Sequence, residues 1–222
     1  VGDWDFAPGV EEYDNLISAL EEKGYIRDET LFVAFYDWRE VNQISATEYL
    51  IPVIDQALQN SSSGYVDIIA HSMGGLVARS YIQGNSYRDD VDQLIMLGTP
   101  NFGSSDVYSL WEGGLIPRNW GNLQRNLLNL YLWYMNTVTE QTADNYDTIH
   151  QHVPSIRDLL PTYNYLVDTQ TNTTKNVFAM VEKNQLLQNL NDVSLFDDEM
   201  LTKRVRNVTV IAGSGESTVG DI

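Results

Sequence analysis

The 222 residues are 43% hydrophobic, enough for one sizeable core and one globular domain. A formal charge of −18 at pH 7 argues against a nucleic-acid partner, whose phosphates such a surface repels, and disfavours adsorption to anionic lipid. There is no cysteine for a disulfide or thiolate metal site, no apolar run long enough to cross a membrane, and no visible signal peptide.

The first predicted helix covers about residues 10–23, with Tyr13, Leu16, Ile17 and Leu20 on one face and Gly24 as its stop. Residues 31–36, Leu-Phe-Val-Ala-Phe-Tyr, read as a strand of a parallel sheet covered on both faces. A second helix is expected over 44–59, with Pro52 forcing a kink or a later start. Val66, Ile68 and Ile69 then mark a strand, and Leu76, Val77, Tyr81 and Ile82 an amphipathic helix ending at Gly84-Asn85. The next strand is 94–97, running into Gly98-Thr99-Pro100. Short apolar strands alternating with helices predict a parallel, right-handed βαβ sheet.

That rhythm stops near Asn101 and resumes at the strand 208–212. The stretch between is too long for a loop and must hold structure of its own. Within it, residues 123–138 form a helix candidate that becomes apolar on every side, as in a buried helix or one that meets a greasy partner. An ordinary packed helix and a lid lining an acyl-chain pocket are both consistent with it.

Ser72 sits where the strand ends and the helix begins, in Ala70-His71-Ser72-Met73-Gly74. Small residues two before and two after a serine suit a strand-to-helix corner in strained backbone with its hydroxyl exposed. This is the nucleophile-elbow spacing with Ala in place of the first Gly. A serine that only caps the helix is the plainer reading. The strand before it and the helix after it favour a catalytic nucleophile.

Four further segments accompany the elbow in order: Tyr36-Asp37-Trp38-Arg39, Leu97-Gly98-Thr99-Pro100-Asn101-Phe102-Gly103-Ser104, Pro154-Ser155-Ile156-Arg157-Asp158-Leu159-Leu160-Pro161, and Gly213-Ser214-Gly215-Glu216-Ser217-Thr218. With them the chain resembles the α/β-hydrolase superfamily, and within it the lecithin:cholesterol acyltransferase-like lipases and esterases, over about residues 10–222. The resemblance implies an α/β-hydrolase fold, a parallel sheet flanked by helices, with a helical cap or lid inserted. Residues 1–100 would be the first part of the core, 101–204 the cap and 205–222 the core's continuation.

A serine hydrolase also needs a histidine base and an acid, in this superfamily following the serine in chain order. His71 abuts the serine but should point away from it, as strand neighbours do. His150 and His152 lie in the cap, out of order for the base. The resemblance places acid and base after the Gly213–Thr218 segment, and Asp221 precedes the expected acid. Family members also carry an oxyanion-donating loop ahead of the point where Val1-Gly2-Asp3-Trp4 enters. The expectation is a fold incomplete at both ends, with a second oxyanion donor, the Met73 N–H, in place at the helix start.

The expected function is a serine hydrolase or acyltransferase acting on carboxylic esters of lipids or long acyl chains, through an acyl-serine. It requires no metal or organic cofactor. An amidase or peptidase of the same fold, and a non-catalytic interaction module, remain as alternatives. Calcium at Asp89-Asp90-Val91-Asp92 or Asp197-Asp198-Glu199 is the weakest reading. Triplets at Asn60, Asn172 and Asn207 fit the glycosylation sequon, but such triplets are common by chance; the expected location is the secretory pathway or the exterior. Cytoplasmic residence and any oligomeric state stay open.

Overall fold

A computed structural model describes residues 13–139, 141–192 and 200–214, with the side chains of residues 123 and 124 excepted. Helix α1, Asp14–Glu22, buries Ile17 and ends as the glycine predicted. Gly24 takes φ 97°, its N–H reaches the Glu21 carbonyl at 2.9 Å, and the Tyr25 N–H reaches Leu20 at 3.2 Å. Those two bonds satisfy carbonyls that the helix end would otherwise orphan, and they need a residue free to enter the left-handed region.

Residues 31–36 correct an expectation. Beyond one isolated bridge between Arg27 and Leu31, the segment joins no ladder among the described residues. Ala34 and Tyr36, both partly buried, still pack on the core, while Phe35 is exposed. A strand, by contrast, requires a hydrogen-bonding neighbour, which no single segment's pattern can specify.

The second predicted helix runs as α2, Asn42–Ser45, a π-helical turn, Ala46–Leu50, and α3, Ile51–Asn60. Pro52 falls in the first turn of α3, immediately after the π-turn. The wide turn removes the clash that a proline ring makes with the preceding turn of a regular helix.

Strand β1, Val66–His71, is followed by α4, Gly74–Ile82, and β2, Val91–Leu97. After a long stretch that holds further helices and a small hairpin come α9, Leu201–Arg204, and β5, Asn207–Ile211. The sheet order is β1-β2-β5, all parallel, with Ala70 opposite Met96 and Met96 opposite Val210. Helix α4 is the βαβ crossover between β1 and β2. It is buried from Gly75 to Ile82 against Ala70, Leu94 and Met96. The opposite sheet face carries Ile69, Thr209 and Ile211, which are exposed.

The insertion contains α5, Tyr108–Gly113, and α6, Asn122–Trp133, which continues as a π-turn, Tyr134–Val138. Then come α7, Asn145–His152, a 3-10 turn, Pro154–Leu159, the hairpin β3, Val167–Asp168, with β4, Thr173–Thr174, and α8, Gln185–Leu190. It has a hydrophobic core of its own, formed by Val107, Leu110, Trp111, Leu128, Leu132, Ile149, Val153, Ile156 and Leu160. Helix α6 is not fully buried: Leu128, Leu132 and Met135 face that core, while Leu127, Leu130 and Trp133 are exposed.

Candidate active site

Ser72 has φ 51°, a left-handed value that costs a non-glycine residue on the order of 1 kcal/mol and persists only where surrounding structure enforces it. Three bonds do so. Its N–H donates to the Leu97 carbonyl at 2.8 Å, extending the β1–β2 ladder by one residue. Its carbonyl accepts the Gly75 N–H at 3.1 Å, and the Met73 carbonyl accepts the Leu76 N–H at 2.9 Å, so the helix is wound at once. The side chain is exposed at the resulting corner, and no described residue hydrogen-bonds to its hydroxyl.

The Met73 N–H points from the same turn and makes no hydrogen bond among the described residues; it belongs to the N-cap of α4. An uncommitted donor at a helix N-terminus is suited to negative charge.

The tight contact at this corner is not where the spacing put it. A Cβ at Gly74 would meet only the Tyr36 hydroxyl, at an ordinary 3.8 Å. A Cβ at Gly75 would fall 2.0 Å from Thr99 Oγ1 and 2.8 Å from Thr99 Cβ. Gly75 therefore lets α4 close onto the loop after β2, and the pentapeptide spacing could not reveal a clash with a residue from another element. Tyr36, mostly buried and near Tyr13, has its pKa pushed up to about 12, so its hydroxyl stays protonated beside the elbow at neutral pH.

The three histidines lie at different places in the fold. His71 Nδ1 is paired with the Tyr13 hydroxyl at 2.7 Å, on the outer sheet face. His150 is stacked between Trp111 and Tyr146, with centroids at 3.9 and 4.0 Å, and its Nε2 lies 2.9 Å from the Trp111 carbonyl oxygen. His152 ends α7. None hydrogen-bonds to Ser72. Asp221, the Gly215–Thr218 part of its motif, Asp197-Asp198-Glu199 and Val1–Trp4 lie outside the described residues.

The Asp89–Asp92 run is occupied by protein partners. Asp90 accepts the Tyr81 hydroxyl at 2.6 Å and pairs with Arg88, and Asp92 pairs with Arg206. Among the described residues no cluster of three or more potential ligands could hold a metal.

The Tyr36–Arg39 and Leu97–Ser104 segments both meet the Pro154–Pro161 segment. Asp37 grips the Arg39 guanidinium, and that hydrogen bond holds the Asp37 carboxyl below its usual range. Arg39 lies over the Tyr131 ring of α6 at 5.6 Å, and its carbonyl accepts the Ser155 N–H. Gly103, at φ 85°, packs against the Leu160 backbone, where a Cβ would come within 2.3 Å of the carbonyl oxygen. Beside it the Ser104 N–H donates to Leu159 at 2.8 Å.

Two buried charged residues complete this joint, Asp158 within the Pro154–Pro161 segment and Arg79 of α4. Asp158 accepts both the backbone and side-chain N–H of Asn42, at 2.9 and 3.0 Å, and Asn184 Nδ2 donates to the carbonyls of Asp158 and Leu160. Arg79 of α4 is also buried, which lowers its pKa to about 10, and it donates to Gln83, Asn101, Asn191 and the Leu190 carbonyl. Only a polar residue on an otherwise apolar helix face hinted at it in the sequence. Two clefts, of about 430 and 460 Å³, are lined by residues other than Ser72 and Met73.

One curated relative, the phospholipase A(1) LCAT3 of Arabidopsis thaliana, is 32% identical over 94 residues, covering 41% of this chain and 21% of that protein. The chain thus matches about a fifth of the relative's length. The lecithin:cholesterol acyltransferase family model matches residues 5–211. A parallel sheet carrying a strand–serine–helix corner, with that match over nearly the whole chain, places this protein in the lecithin:cholesterol acyltransferase family, with an α/β-hydrolase fold.

Proposed function

We propose that this protein acts on acyl esters of lipids, as a hydrolase or acyltransferase, with Ser72 as its nucleophile. The observation that carries the reading is the exposed Ser72 hydroxyl on a backbone held at φ 51° between β1 and α4. In this reading Ser72 Oγ attacks the acyl carbonyl and its proton passes to a general base. The carbonyl π electrons move onto oxygen, where the Met73 N–H stabilises the charge. Collapse expels the alcohol, which takes up the proton, and leaves an acyl-serine. Water or a second alcohol then releases the acyl group by the same steps.

In this reading the base is a group other than His71, His150 and His152, none of which hydrogen-bonds to Ser72 among the described residues. Residues 101–204 act in this proposal as a cap over a core formed by 1–100 and 205–222, a division supported by the insertion's separate hydrophobic cluster. Secretory or extracellular residence goes with the family membership.

A fluorophosphonate probe tests the assignment, because it labels only a serine activated by its surroundings. Labelling should map to Ser72, and Ser72→Ala should abolish both labelling and turnover of a p-nitrophenyl acyl ester with the fold intact. Retained labelling in that variant refutes the nucleophile. No labelling of the unaltered protein favours the second reading, a non-catalytic interaction module, for which the absence of a histidine bonded to Ser72 speaks. A preference for p-nitrophenyl amides over esters would instead indicate an amidase.

A further inference from the structure

The outer face of α6 is apolar where a cap helix would ordinarily be polar. Leu127, Leu130, Tyr134 and Val138, spaced i, i+3, i+7 and i+11, form one ridge, each between 49 and 59% exposed. Trp133 stands exposed beside it. The helix has already satisfied its packing through Leu128, Leu132 and Met135, so the ridge is an addition to the cap core. Apolar ridges of this kind on one helix mark an interaction surface.

Charge identifies what meets it. The chain has 31 acidic residues, yet none between Glu112 and Glu140, the longest acid-free stretch in the sequence. Arg118 and Arg125 are the only charges there. The exposed neighbours of the ridge are Asn126, Asn129 and Thr137, all uncharged. Elsewhere the acidic surface resists association with another copy of itself or with anionic lipid. This face presents hydrocarbon, amides and an aromatic pair. Trp and Tyr combine an apolar body with a polar edge, which suits the level of phospholipid headgroups.

We propose that the outer face of α6 docks on a zwitterionic phospholipid surface, with the helix lying in the interface and the ridge inserted among the acyl chains near the headgroups. The proposal rests on a lipid substrate, and it adds how the protein reaches one: the uncharged side of the cap lands first, with the carboxylate-rich surface held away. It also reverses the usual rule for peripheral proteins, since anionic lipid should weaken binding here.

Flotation with phosphatidylcholine vesicles tests it. The protein should float with the vesicles, with a blue shift in tryptophan emission that Trp133→Phe removes. The double variant L127E/L130E should lose about ten-fold or more in partitioning, with an unchanged circular dichroism spectrum, because both side chains lie outside the core. Ser72→Ala should float normally, which separates a failed nucleophile assignment from a failed docking surface. Replacing part of the phosphatidylcholine with phosphatidylglycerol should lower binding at low salt. Failure of the unaltered protein to float, equal flotation of the double variant, or a dimer that this variant abolishes without any vesicle binding would each overturn the proposal.

Discussion

Gly74 and Gly75 show how two adjacent residues of one type can do different work. Gly74 has room for a Cβ, whereas Gly75 is pressed against the side chain of Thr99, whose Oγ1 is itself buried without a hydrogen-bond partner among the described residues. Thr99 is branched at Cβ, so it cannot swing one atom aside to accept a methyl group. Gly75→Ala should therefore cost about 1–3 kcal/mol by overpacking, while Gly74→Ala should be neutral or slightly stabilising, as Ala replacing Gly in a helix is. Urea unfolding of the two variants decides this; equal stabilities would mean that α4 does not close on the Thr99 loop as described. Because α4 carries the Met73 N–H, Gly75→Ala should also lower the rate of fluorophosphonate labelling at Ser72.

Among the elements, the contact between α2 and the Pro154–Leu159 turn matters most, since it joins the insertion to the sheet domain through polar groups. Asn42 is fully buried and Asp158 nearly so, and burial raises the Asp158 pKa against the lowering effect of the Asn42 bonds. An acid whose pKa is raised on folding keeps its proton in the native state after the unfolded chain has lost it. Stability then falls as pH rises from the unfolded value, about 4, through the raised native value, and the full penalty applies above that. Asp158→Asn keeps an oxygen to accept from Asn42 and removes the charge. Thermal melts should show the variant gaining on the unaltered protein as pH rises above the unfolded carboxyl value of about 4. A constant offset across the range would show that Asp158 titrates as an ordinary carboxyl.

For the whole molecule, a charge of −18 on 222 residues is a standing self-repulsion. The described ion pairs that relieve it are few, and most lie at the surface, such as Arg27–Glu21 and Arg88–Asp55, where each contributes about 1 kcal/mol or less. Raising salt from about 10 to 200 mM shrinks the Debye length from about 30 to below 10 Å and should raise Tm, because screened repulsion outweighs the lost pairs. A falling Tm would show that the pairs dominate. The same charge distribution turns the acid-free α6 face toward an uncharged surface.

Local pattern determined a great deal of this protein. The strand, the serine and the helix after it follow from apolar spacing and small residues within a dozen positions, and Gly24 ends α1 by a backbone freedom visible in one letter. The stop and return of the strand–helix rhythm matches the helices and small hairpin that separate β2 from β5. The family, too, was legible, from short segments in a fixed order. Tertiary structure alone decided matters that depend on a partner distant in sequence. Asn42 and Asp158 meet across 116 residues, Gly75 needs its lack of a side chain because of Thr99, and residues 31–36 pack on the core through Ala34 and Tyr36 without joining the sheet ladder among the described residues. Burial can be read from composition, but hydrogen-bond pairing and steric exclusion exist only between residues, and the fold chooses which residues become neighbours.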